Sequence, residues 1–284
     1  MSVPKHLDPD PLVTPARLPV PSGELAALVA TPAPGTRVRR GVLLVPGYTG
    51  SKEDFWHLLP LLAQAGHPAT AVDLRGQHES GGPEQLAAYT IDALALDIAS
   101  LLEASDDPLH LVGHSFGGLI CRAAVLSGAP ARSLTLLGSG PGALGGHRAA
   151  LVEAMRPMLV DGGGVPEVWA ATAALNATAT ALQPPEVQAF IERRFLASPA
   201  AALLGMGEAV TTAADRTAEL ARTGLPLLVA CGENDDAWSP AEQQDMARRL
   251  GTQLVTFAGA GHSPNVDTPQ AVAETITKFW NDID

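Results

Sequence analysis

Cysteine, aromatic residues, positive charge and long apolar runs are all scarce in this sequence, and each shortage removes a class of protein. Two cysteines, Cys121 and Cys231, are too few for a disulfide framework. One falls on an expected helix and the other at an expected strand end, where small buried thiols are ordinary. Aromatic residues make up 4% of the chain, so alanine, valine and leucine must fill most of the interior. Lys and Arg together number 18 against 30 Asp and Glu, a net charge of −12 that works against nucleic acid and anionic membrane surfaces as partners. No stretch approaches the ~18 apolar residues that a membrane span needs. The N-terminal region interleaves proline with short apolar pieces and has no continuous signal-peptide segment. A soluble, cytoplasmic protein is expected.

What remains is ample: 284 residues, 46% of them hydrophobic, suffice for one large domain or a core with an insertion. From Arg39 onward, short apolar runs alternate with helical patterns. Gly41–Val45, Pro68–Asp73, Leu109–Val112 and Ser133–Leu137 read as strands. Phe55, Leu58, Leu59 and Leu62 recur at helical spacing, as do Ile91, Leu94, Ile98, Leu101 and Leu102. Such alternation predicts a mostly parallel sheet covered on both faces. The chain before Arg39, notably Glu24–Thr31, is expected to add antiparallel edge strands.

Between residues 142 and 224 the alternation stops. The stretch is rich in alanine, and helices are expected over His147–Val160, Pro184–Ala197 and Pro199–Ala213. A helical cap inserted into an α/β core of residues 1–141 and 225–284 follows. Strands then return at Pro226–Cys231 and Leu254–Phe257. The helix between them is bounded by Ser239 as N-cap, Pro240 at its first position and Gly251 after its end.

Gly113-His-Ser-Phe-Gly117 carries the chemistry. It follows a strand directly and opens a helix, the setting in which a serine is held on a sharp turn with its hydroxyl off the sheet. Helix N–H groups there favour a developing negative charge. A serine needs a base, and His262, on the glycine-rich loop after the last strand, emerges at the same sheet edge. His114 is expected to point elsewhere, and the remaining histidines to occupy mostly surface or edge positions. The acid that orients the imidazole lies in Gly232-Glu-Asn-Asp-Asp236. Spacing from the glycine favours Asp235, and spacing to Pro240 favours Asp236; Asp235 is preferred and the alternative stays open. The chain order Ser115, Asp235, His262 separates this arrangement from other serine triads. The expected oxyanion donors are the backbone N–H groups of Phe116 and Tyr48.

Together, Pro46–Phe55, Asp73-Leu-Arg-Gly76, Gly113–Gly118, Gly232–Asp236 and Gly261-His262 resemble the α/β-hydrolase superfamily, in family order across nearly the whole chain. The resemblance implies an eight-stranded sheet flanked by helices, a cap after the sixth strand, and hydrolysis without cofactor or metal. Dehalogenases and epoxide hydrolases of this fold use an aspartate nucleophile, whereas position 115 is serine. Arg75–Gly81 is similar to the family's Arg-Gly-x-Gly-x-Ser loop, with His78 where the second glycine is common.

The reading that follows is a serine carboxylesterase acting on a small to medium ester with an apolar acyl or alkyl group. Trp169 and Trp238 are candidate substrate-binding residues. Met155, Met158, Leu159, Phe190 and Phe195 serve equally as pocket or as cap core. Carbon–carbon bond hydrolysis, thioester hydrolysis and perhydrolysis are alternatives on the same triad, and a non-catalytic ligand receptor is the alternative from another class.

Overall fold

The apolar run Val42-Leu-Leu-Val45 is buried throughout, as a central strand covered on both faces must be. The computed structural model describes residues 2–284. Its strands are β1 (Val13–Val20), β2 (Gly23–Ala30), β3 (Val42–Val45), β4 (Ala69–Val72), β5 (Leu109–His114), β6 (Ala131–Leu137), β7 (Leu227–Gly232) and β8 (Leu254–Phe257). They form one eight-stranded sheet in the order β1-β2-β4-β3-β5-β6-β7-β8. β1 and β2 pair antiparallel and β2 joins β4 antiparallel; the remaining pairs are parallel, with Leu44 opposite Val112 and Leu136 opposite Val229. β1 alternates exposed and half-buried residues, as an antiparallel edge with one wet face should.

The helices are α1 (Leu59–Gln64), α2 (Ile91–Glu103), α3 (Phe116–Leu126), α4 (Gly146–Val160), α5 (Val165–Leu175), α6 (Ala177–Thr180), α7 (Pro185–Leu196), α8 (Ala200–Thr211), α9 (Thr217–Ala221), α10 (Pro240–Leu250), α11 (Pro264–Asp267) and α12 (Pro269–Ile283). Side chains alternate across a strand, so β3 feeds two cores. Leu43 and Val45 pack with Leu94, Ile98 and Ile120 of α2 and α3. Val42 and Leu44 pack with Leu59, Leu62 and Trp280 of α1 and α12. Each such side chain contributes roughly 1.5–3 kcal/mol on burial.

Between β6 and β7 the described chain forms only helices. α4, α7 and α8 fall where helices were expected. α5, α6 and α9 lie outside the expected helices: α5, Val-Pro-Glu-Val-Trp-Ala-Ala-Thr-Ala-Ala-Leu, spreads small apolar residues around its circumference and shows no clear stripe. The two ends of the insertion touch. Leu144 N–H donates to the Val210 carbonyl at 2.8 Å, and Arg122 of α3 donates to the carbonyls of Pro141 and Ala214.

Other expectations need correction. The helical spacing beginning at Phe55 is split into a 3-10 turn, Lys52–Phe55, and α1. The Lys52 amide is held by the Asp73 carboxylate at 2.7 Å, which fixes the turn. His67 and His110 are buried rather than at the surface. His110 bonds the Ser133 hydroxyl at 2.8 Å and stacks on Trp280. α10 begins with a full capping box between Ser239 and Glu242 and ends at Gly251 in the left-handed conformation.

Candidate active site

β5 runs into α3 through a single residue, Ser115, whose backbone sits at φ 56° and ψ −124°. A non-glycine residue there is strained and persists only because its surroundings hold it. Those surroundings tolerate no side chain at the flanking glycines. A Cβ on Gly113 would lie 2.5 Å from the Gly118 Cα, and one on Gly117 would strike the Val45 carbonyl oxygen. The turn thus presents the Ser115 hydroxyl at the N-terminus of α3.

His262 follows β8. Its Nε2 lies 2.9 Å from the Ser115 Oγ, and its Nδ1 lies 2.9 Å from Asp235 Oδ1. A carboxylate only accepts, so Nδ1 carries the proton and Nε2 is free to accept from the serine. Asp235 is buried. Its Oδ1 also accepts from the Ala237 N–H at 3.0 Å, and its Oδ2 from the Gln243 side-chain amide at 2.8 Å. Asp236 turns away and forms a two-point ion pair with Arg148 of α4, at 2.6 and 3.0 Å. Partial burial raises the Asp236 carboxyl, but the hydrogen bonds and charge of Arg148 outweigh it and leave the group below its usual range.

His114 does not reach the serine. It is buried, and its Nε2 donates to the His262 carbonyl at 2.9 Å. Burial first, then the proximity of His262, pushes its pKa down to about 3, so it is neutral at ordinary pH. Its position at the end of β5 shows in the sequence; its contact with a loop 148 residues away does not.

Neither the Tyr48 nor the Phe116 N–H has a partner among the described residues. Gly47 lets this loop approach the serine: a Cβ there would lie 2.9 Å from the Ser115 Cβ. The Tyr48 phenol donates to the Leu203 carbonyl of α8 at 2.9 Å. Burial, reinforced by the Glu153 charge, holds that phenol well above its usual range.

Behind the loop, Lys52 is buried against Asp73 at 3.0 Å, Glu53 at 2.9 Å and Glu79 at 3.0 Å. Arg194 of α7 is buried against Asp54 at 2.8 Å. His78 has φ 38°, a conformation that favours glycine, which accounts for the glycine common at this place in the resembling loop. Its ring packs edge-on against Phe190 of α7, so a cost in backbone strain is offset by a contact with the insertion.

Ser115, His262 and Tyr48 border a cavity of about 480 Å³. Its walls come mainly from the insertion, with Leu151, Val152, Met155, Trp169 and Phe195 among them. Leu159 instead packs inside the insertion, and Phe190 packs against the N-terminal residues Val3 and Leu7 and the ring of His78. Trp238 is not on the wall. It is buried beneath the Asp235 loop, donating to the Ala143 carbonyl at 3.3 Å and packed against Gly140. No group of His, Cys, Asp and Glu among the described residues is arranged to hold a metal, and no described helix is long and apolar enough to cross a membrane.

The alpha/beta hydrolase family model matches residues 42–275, and the chain belongs to that family. Over 100 residues, 35% of this chain and 30% of the other, it is 32% identical to epoxide hydrolase A of Mycobacterium tuberculosis. The matched stretches span a third or less of the first curated relatives. Among solved structures, it is similar to a thermophilic esterase of Thermogutta terrifontis, with TM-score 0.71 and 24% identity over 95% of this chain and 99% of that one. It is also similar to an enol-lactonase of Burkholderia xenovorans, with TM-score 0.74 and 20% identity over 94% and 100%. At these identities the structures establish the fold.

Proposed function

We propose that the protein hydrolyses carboxylic esters through an acyl-enzyme on Ser115. The observation that carries this reading is the chain of 2.9 Å contacts from Ser115 Oγ through His262 to Asp235, opening on the cavity. His262 takes the serine proton as Ser115 attacks the acyl carbon, and Asp235 steadies the imidazolium. The carbonyl oxygen becomes an alkoxide facing the free N–H groups of Tyr48 and Phe116. His262 then gives its proton to the departing alcohol. Water, activated by the same imidazole, releases the acid and restores the serine. Asp236, committed to Arg148, stands outside this relay.

The helices between β6 and β7 act in this reading as a cap over the serine. Their apolar wall suits a small to medium acyl or alkyl group, within the size range of ordinary ligand cavities. Serine at position 115 supplies no carboxylate nucleophile, which sets the chain apart from the aspartate chemistry of epoxide hydrolases.

Reaction with a fluorophosphonate and mass spectrometry of the adduct test the reading. Ser115 should be the labelled residue, and Ser115→Ala should lower kcat on an activated ester by about 10⁴-fold or more. Full activity in Ser115→Ala would refute it.

A further inference from the structure

The two oxyanion donors differ in how they are held. Phe116 N–H is fixed by its place at the first turn of α3, whereas Tyr48 N–H belongs to a loop. What aims that loop is visible on the far side of its peptide. The Gly47 carbonyl, in the same peptide unit as the Tyr48 N–H, accepts from the Gln77 side-chain amide at 2.8 Å and from the Gly50 N–H at 3.1 Å. The peptide is trans, so its C=O and N–H point in opposite directions. Holding the oxygen toward Gln77 turns the N–H the other way. Gly47 stands against the serine, since a Cβ there would lie 3.2 Å from Ser115 Oγ.

Gln77 is itself held firmly. Its Oε1 accepts from the Leu74 N–H at 3.0 Å, which leaves Nε2 as the end that donates to Gly47 and settles which way the amide lies. Its own N–H donates to the Leu74 carbonyl at 2.9 Å, and the side chain is buried. The loop that carries it is tied to the end of β4: Ser80 Oγ donates to the Asp73 carbonyl at 2.8 Å, and Glu79 N–H to the Asp73 carboxylate at 3.2 Å. On the other side of the peptide, the Tyr48 phenol is anchored to α8. The next residue, Thr49, is held at φ 58°, a strained state that a loosely packed loop would relax.

We infer that Gln77 is a positioning residue for ester hydrolysis: its amide holds the Gly47–Tyr48 peptide so that the Tyr48 N–H faces the developing alkoxide. The inference rests on the ester-hydrolase reading above. Gln77 touches no substrate, so its effect belongs in the transition state, where the alkoxide exists, and not in substrate binding.

Two variants test it. Gln77→Leu keeps the bulk and removes the donor. Its kcat on p-nitrophenyl butyrate should fall by roughly 10- to 100-fold, with KM within about twofold, because a misplaced donor costs up to what a deleted one does. Its affinity for a boronic acid, which forms a tetrahedral adduct on the serine, should fall by a similar factor. Gln77→Glu carries its own signature. Ionised, it repels the Gly47 carbonyl; protonated, it can donate to it. Its kcat relative to wild type at the same pH should therefore rise as pH is lowered from about 8 to 5, a trend that a purely structural defect would not produce. If Gln77→Leu fails to fold, this ratio decides.

Folded variants with wild-type kcat and boronate affinity, or a loss confined to KM or melting temperature, would overturn the role of Gln77 alone. A wild-type protein that neither turns over esters nor labels at Ser115 would overturn the hydrolase reading, and this one with it.

Discussion

Asp235 and Gln243 are joined by a buried hydrogen bond of 2.8 Å, from the glutamine amide to the carboxylate oxygen that His262 leaves free. The same Gln243 amide donates to the Trp238 carbonyl at 2.7 Å, so one side chain on α10 braces both the acid and its loop. Replacing Gln243 with leucine strands one oxygen of a buried carboxylate. We expect a stability loss of about 1–3 kcal/mol by urea denaturation, together with a fall in kcat, because Asp235 is no longer held toward His262. An unchanged kcat would mean that His262 and Ala237 suffice to place the acid.

The two adjacent aspartates should separate by orders of magnitude. Asp235→Asn removes the acceptor that selects the imidazole tautomer, and kcat should drop by about 10³- to 10⁴-fold. Asp236→Asn only breaks a partly exposed ion pair with Arg148, of the kind that contributes about 0–1 kcal/mol. Its kcat should change by a few-fold at most. Steady-state kinetics of the pair decides the assignment, and the reverse ranking would move the acid to Asp236.

His114 predicts a pH dependence of stability. Its folded pKa of about 3 lies below the unfolded value of ~6.5. Between these values the unfolded chain binds the extra proton, so stability is intact above about pH 6.5 and is lost as pH falls toward 3. His114→Gln keeps a donor for the His262 carbonyl and does not titrate. The acid-side slope in this variant should be shallower, by up to ~1.4 kcal/mol per pH unit. Denaturation curves at several pH values below 6.5 measure it, and parallel slopes would contradict the prediction.

Trp169 and Trp238 should fail in different ways. Trp169 is on the cavity wall, and Trp169→Ala should favour longer acyl chains, read as a shifted kcat/KM across a series of p-nitrophenyl esters. Trp238 is buried beneath the site, and Trp238→Ala should cost about 3–5 kcal/mol of stability. An unaltered chain-length profile in Trp169→Ala would show that this wall does not contact the acyl group.

Much of this protein is determined locally and so is legible in the sequence. Val42-Leu-Leu-Val45 must be a covered strand, Ser239-Pro240 with Glu242 must start a helix, and Gly113-x-Ser-x-Gly117 can make its turn because no side chain fits at the glycines. Such features depend on period, capping and backbone sterics within a few residues. They single out Ser115 and His262 as candidate partners and leave two neighbouring aspartates as candidates for the acid.

Local spacing favours Asp235 but leaves Asp236 open; what separates the two in space is Arg148, which arrives from the helical insertion and holds Asp236 away from His262. The same holds for Trp238, whose exposed-looking loop position conceals a buried ring, and for His67 and His110, which α12 covers through Trp280. Gln77, at an unspecified position of its loop, and Gln243 stand out only through hydrogen bonds to residues outside their own elements. Short-range chemistry therefore specified the turn at Ser115 and the loop that carries His262. Long-range packing decided which groups surround them, because a side chain's partner depends on what the finished fold places within about 3 Å.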